Sequence, residues 1–157
     1  MISRLRIRKS KSLYSVLFLI FLTHSLCQAS NPIIPLRIGE HRFDVEVPQT
    51  LDALQKGLMG RKTLTENQGM LFVYPKIKKF FAPALWMKNT FISLDILFIS
   101  QEKKIVFIHR LAQPLSLRII TSPVPAVYAL ELKGGICDHL GITVGDSVFF
   151  ELSAFDQ

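Results

Sequence analysis

Trp86-Met87-Lys88-Asn89-Thr90 sets an indole, a thioether, an ammonium, an amide and a hydroxyl in five consecutive residues, with Asp95 a short turn further on. An indole offers a stacking face to a sugar ring or a cation, and Lys88, Asn89, Thr90 and Asp95 could hold the polar groups of such a ligand. The plainer alternative is that Trp86 and Met87 fill a core while Asn89 and Thr90 bond backbone in a tight turn. Arg61, Glu131 and Asp146 complete the polar set. Glu131 stands between Leu130 and Leu132, so by alternation it faces away from both. A carboxylate buried there needs a partner, and Arg61 is the candidate. Asp95 or Glu131 with Arg61 could also serve a hydrolase. Two carboxylates suffice for acid–base cleavage of a glycoside, but the sequence gives no separation between them.

Other chemistry has less to stand on. His41, His109 and His139 follow no metal-ligand spacing, and Asp138-His139 reads as an exposed loop pair, so no metal is expected. Cys137 beside Asp138-His139 could form a cysteine–histidine nucleophile, but adjacent side chains rarely face each other, and a buried thiol is the plainer reading. No glycine-rich phosphate loop follows a strand, and no cofactor is expected. The catalytic residues, if there are any, stay unknown, and the balance leans away from an enzyme.

These residues are carried by short strands. Leu36–Ile38 and Phe43–Val47 alternate apolar and polar about a Gly39-Glu40 turn, which predicts a hairpin after a short linker, Asn31 to Ile34. Thr50 can cap a short helix with Leu51, Leu54 and Leu58 on one stripe and Gly60 in its C-terminal turn. Gly57 within that pattern costs about 1 kcal/mol relative to alanine, so something should pack close to it. Met70–Tyr74, Leu85–Met87, Leu94–Ile99 and Ile105–Ile108 are further strand runs, the last two a second hairpin. Lys76, Lys78 and Lys79 mark a loop. Leu111–Val124, with two prolines and a third just after it, is a long connection holding a short strand at Leu117–Ile120. Val127–Leu132 alternates again, and Asp146–Leu152 closes the chain. Many short strands with frequent Gly and Pro predict a mostly β, single-domain protein: a compact antiparallel sandwich or barrel with one short helix near its N-terminus.

The blocks themselves are distinctive: Gln55-Lys56-Gly57-Leu58-Met59-Gly60-Arg61, Gly69-Met70-Leu71-Phe72, Trp86 to Thr90, Leu94 to Phe98, Val127 to Leu132 with Gly135, and Gly141 to Asp146, in that order. Over about residues 36–152 the chain resembles domain-of-unknown-function family 192, small bacterial and archaeal proteins that are often exported. The resemblance implies a sandwich-like β domain and no established activity. Two positions depart from the family pattern. Ser93 replaces a usual proline, which loosens the turn into Leu94, and Cys137 replaces a small or hydroxyl residue.

The first thirty residues read as an address. Met1–Lys11 carries Arg4, Arg6, Arg8, Lys9 and Lys11 and no acid; Leu13–Leu22 is apolar; small and polar residues follow. That is the layout of a secretory signal peptide, with Cys27 and Ala29 placing cleavage after Ala29. An uncleaved anchor or lipidation at Cys27 is the alternative. The formal charge of +7 over 157 residues is therefore mostly a property of the signal segment, which speaks against nucleic acid. Residues 30–157 form the expected domain, in the periplasm or outside the cell. With a lone thiol it relies on an apolar core rather than a disulfide. The function expected is binding of a small molecule, a glycan or an envelope protein through Trp86, Lys88, Asn89, Thr90, Asp95, Arg61 and Glu131. An envelope hydrolase and a purely structural protein are the alternatives.

Overall fold

Ile33–Ile38 and His41–Glu46 form β1 and β2, paired antiparallel so that Ile38 faces His41. Gly39 opens the two-residue turn between them at φ 56°, a conformation glycine adopts without steric cost. Leu36, Ile38, Phe43 and Val45 are buried, as the alternation requires. The strand starts earlier than the expected linker allows, since Ile33 and Ile34 already pair with Glu46 and Val45. The computed structural model describes residues 30–74 and 82–152. The basic and apolar N-terminal stretch, Cys27, the cleavage point after Ala29, and Lys76, Lys78 and Lys79 lie outside the described residues.

The Thr50 hydroxyl accepts a hydrogen bond from the Ala53 amide at 3.1 Å and caps a short helix, α1, Leu51–Lys56. The helix ends at Gly57, with φ 48°, two residues before the apolar stripe predicts. Leu58 is consequently a buried loop residue, while Leu51 is exposed. The expected close neighbour of Gly57 is Phe72: a Cβ on Gly57 would meet its ring at 3.2 Å.

Gln68–Val73 is β3, Ala84–Leu85 β4, Leu94–Ile99 β5, Ile105–Ala112 β6, Ile120–Thr121 β7 and Tyr128–Lys133 β8. A second helix, α2, spans Ile136–Leu140, and β9 is Val148–Phe149. Gly134-Gly135 thus starts a helix as well as ending a strand, and the last strand is much shorter than expected. Seven strands make one sheet in the order β6-β5-β8-β3-β2-β1-β9, and β4 and β7 form a separate ribbon. The sheet curls into a half-barrel. It is mixed rather than wholly antiparallel, because β2 and β3 run parallel. Parallel neighbours need a crossover, and α1 lies on it.

Both faces of the sheet are covered, so the central strands are apolar on both sides apart from Asp95 in β5 and Glu131 in β8. Every residue of β5 is buried. One face carries Leu36, Phe43, Leu71, Leu97, Leu130, Leu132 and, from α2, Ile136 and Cys137. The other carries Met70, Phe72, Ile96, Phe98 and Ala129, packed under Leu58, Leu85 and Met87. Burial on two faces lets this chain hold an ordinary core without a disulfide.

Candidate functional site

The residues around Trp86 divide by position. Met87 is wholly buried and Thr90 nearly so, whereas Trp86 is 41% exposed and Lys88 and Asn89 are exposed. Alternation at the end of β4 explains the split: Leu85 and Met87 point into the core, Trp86 and Lys88 out of it. A turn follows, closed by the Thr90 amide donating to the Met87 carbonyl at 3.0 Å, with Asn89 left-handed at φ 54°. The plain reading of this segment therefore holds for Met87, Asn89 and Thr90, and not for Trp86. The Asn89 carbonyl also accepts from the Gly60 amide at 2.8 Å, which ties the turn to the loop after α1.

Between that loop and that turn lies an open cleft of about 860 Å³. Leu54, Gln55 and Leu58 line it from the α1 side, Trp86, Lys88, Asn89 and Thr90 from the other, and Phe72 and Tyr74 from β3 and its end. Glu131 lines it from β8. Five of the seven residues expected to bind a ligand are thus brought together. Gln55, Phe72 and Tyr74 were not anticipated there. Phe72 and Tyr74 share parity with Met70, which pairs with Glu131 across β3 and β8, but that register is invisible in the sequence.

Glu131 is 4% exposed and lies on the same face as its cross-strand neighbours Met70 and Ile96. Gly69 permits the close approach of β8, since a Cβ there would stand 2.6 Å from the Glu131 carbonyl oxygen. The expected Arg61 partner is absent. Arg61 bonds to Glu46 at the end of β2 instead, and both lie near the surface. The other described ion pairs are Arg110–Asp138 and Lys133–Glu66, so no described cation reaches Glu131, and its carboxyl forms no hydrogen bond among the described residues. Burial pushes the carboxyl up to about 8. Burial likewise pushes the Tyr74 phenol up to about 12, with the Glu131 charge adding to the effect. Lys88 is held over the Trp86 ring, its Nζ 4.9 Å from the centroid.

Asp95 occupies the other face of the sheet. It pairs with Leu132 across β5 and β8, one residue out of phase with Ile96 and Glu131. Its carboxylate accepts from the Leu111 amide and from the Cys137 amide, each at 2.9 Å. The first bond holds a bulge where β6 gains a residue against β5 and Leu111 takes φ 50°. The second caps the first turn of α2, whose own cap, Gly135, has no side chain. Asp95 is a framework residue in this arrangement, and no acid–base pair with Glu131 can form across the sheet.

The remaining candidates are structural as well. Cys137 is wholly buried, and burial, followed by the Asp95 charge, pushes its thiol up to about 12, far from a nucleophile's range. The Asp146 carboxylate accepts from the Thr143 amide at 2.8 Å and fixes a turn. Ser93 fastens the turn it was expected to loosen, its hydroxyl donating to the Ala112 carbonyl at 3.2 Å.

Comparison with known proteins agrees with the fold and names no activity. No curated protein is similar to this chain. A crystal structure of a proposed transcription regulator from Sinorhizobium meliloti 1021 is 33% identical, with a TM-score of 0.72 over 78% of this chain and 97% of that one. A protein of unknown function from Novosphingobium aromaticivorans DSM 12444 is 32% identical, with a TM-score of 0.69 over 74% of this chain and 84% of that one. The model of domain-of-unknown-function family 192, described as an uncharacterised ACR, matches residues 34–150, and the chain belongs to that family.

Proposed function

We propose that the protein is an exported binding domain of the cell envelope whose cleft takes a small molecule or the end of a glycan. One observation carries this reading. Trp86, Lys88, Asn89, Thr90 and Glu131, from separate parts of the chain, line one cleft, and the buried Glu131 carboxyl makes no hydrogen bond or ion pair among the described residues. A carboxyl drawn largely out of water is costly for a fold, and a ligand that offers it a hydrogen bond from the cleft recovers part of that cost. The partly exposed Trp86 ring at the rim adds apolar contact area.

Trp86 is the only tryptophan in the chain, so its fluorescence reports on the cleft directly. Titration with small amines, alcohols, sugars and cell-wall fragments should give a saturable change that Glu131→Gln alters and Asp95→Ala leaves in place. A panel producing no saturable change defeats the proposal. Export is tested separately, by sequencing the N-terminus of protein recovered from the periplasmic and culture fractions. An N-terminus at Ser30 supports it, and recovery of the whole chain from the cytoplasm alone opposes it.

A hydrolytic role is the second reading, favoured by one feature: a carboxyl held protonated near neutral pH is a competent general acid. Of the acids and the arginine first considered for it, only Glu131 lies in the cleft. Turnover of a glycan or ester that disappears with Glu131→Gln would move the assignment to this reading. Nucleic acid is disfavoured, although the description of the Sinorhizobium relative points that way, because the excess positive charge belongs to the first eleven residues.

A further inference from the structure

The cleft sets a buried carboxyl among apolar side chains. Its walls are apolar where α1, β3 and β4 meet, at Leu54, Leu58, Phe72 and Leu85. Its floor holds Glu131, which no described hydrogen bond or ion pair satisfies. The other titratable groups lining it are Asp52 and Lys56, both exposed on α1, Tyr74 beyond β3, and Lys88 beyond β4. The strand residues opposite Glu131, Met70 and Ile96, carry no charge. Lys88, a cation of the wall, lies over the Trp86 ring and makes no ion pair with Glu131.

We infer that the cleft selects a ligand bearing a primary ammonium group on an apolar body, the ammonium pairing with the Glu131 carboxylate and the body lying against Leu54, Leu58, Phe72 and Leu85. This rests on the reading of the cleft as a binding site and supplies its ligand class. An anionic ligand would keep Glu131 in its protonated form and could draw nothing from its charge. An uncharged hydroxyl could exchange hydrogen bonds with the carboxyl in either form but brings no opposite charge to offset the burial of a carboxylate. An ammonium brings both the opposite charge and N–H donors to the carboxylate, in surroundings where charge-assisted bonds are strongest. Binding carries a proton balance: the Glu131 carboxyl releases its proton to the buffer as the ammonium arrives, and the amine keeps its own. Because the free carboxyl is mostly protonated at pH 7, close to one proton leaves per ligand bound.

The test is calorimetric titration of the protein, as recovered from the expressing cells, with n-octylamine and with n-octanol in buffers of different ionisation enthalpy at pH 7. Octylamine should bind at least tenfold more tightly than octanol and release close to one proton. Glu131→Gln should abolish the proton release and most of the preference. If both compounds bind equally, or octylamine binds without proton release, the amine assignment is wrong while the cleft remains a binding site. If neither binds, both the assignment and the binding reading fall.

Discussion

Replacing Glu131 by glutamine keeps the size and hydrogen-bonding capacity of a protonated carboxyl and removes its ability to ionise. The consequence for stability follows from linkage. In the folded protein the carboxyl titrates near 8; in the unfolded chain it titrates near the ordinary 4.5. Between those values the folded state binds more protons than the unfolded state, so the free energy of unfolding falls as pH rises. Below about 4.5 the group contributes no pH dependence, and above about 8 the loss is complete. At about 1.4 kcal/mol for each pH unit between them, the loss has a ceiling of about 5 kcal/mol. That is a large share of the stability of a domain this size, typically about 5–15 kcal/mol. Urea unfolding at pH 5, 6.5, 8 and 9, followed by far-ultraviolet circular dichroism, measures it. Wild type and Glu131→Gln should agree within about 1 kcal/mol at pH 5, where both carry a neutral side chain. They should diverge progressively, with the variant more stable by several kcal/mol at pH 9. All other titrating groups are common to the two proteins and cancel, apart from Tyr74, which titrates well above this range. Parallel pH profiles would refute the reasoning: they would mean that the carboxyl is hydrated or paired, and the cleft would lose its unmet group.

Three further substitutions separate framework from site. Asp95→Ala leaves the Leu111 and Cys137 amides without their charged acceptor and should cost roughly 3–5 kcal/mol, read as a lower melting temperature, with no change in a Trp86 ligand response. Gly57→Ala forces a side chain onto a residue at φ 48° and against the Phe72 ring, and should cost about 1–2 kcal/mol; a neutral or stabilising result would mean that α1 does not end as described. The Cys137 thiol, wholly buried and pushed up to about 12, should resist a disulfide reagent at pH 8 in the native protein and react at once in denaturant; rapid native labelling would contradict its burial.

The parts of this fold that local chemistry determines could be read directly. The β1–β2 hairpin follows from alternation and a glycine turn, α1 from the Thr50 cap, and the doubly covered strands from apolar runs broken only by single acids. Where distant segments decide the outcome, the sequence was silent. The parallel β2–β3 pairing, the short β9 held by two residue pairs with β1, and α2 capped by an aspartate 42 residues away are all of this kind. The partners of Arg61 were misjudged for the same reason. Charge and position along the chain did not reveal that Glu46, at the far end of the first hairpin, would arrive beside it.

The two buried acids show how far register alone separates roles. Asp95 and Glu131 each interrupt an apolar run, each sits in a central strand, and β5 and β8 are direct neighbours. On sequence they are equivalent, which is why both entered the expected site. Their strands pair with Asp95 opposite Leu132 and Ile96 opposite Glu131, and that phase sends the carboxylates to opposite faces. A slip of one residue would have put them on the same face as a potential acid–base pair. On its own face Asp95 finds two backbone amides, so its charge is accommodated and its task is to hold β6 and α2. On the other face Glu131 finds hydrocarbon and the opening of the cleft. Retaining an acid there costs stability at neutral pH and above, whereas a glutamine of the same shape would not. The fold gains nothing from that ionisable proton, and a ligand that displaces it does.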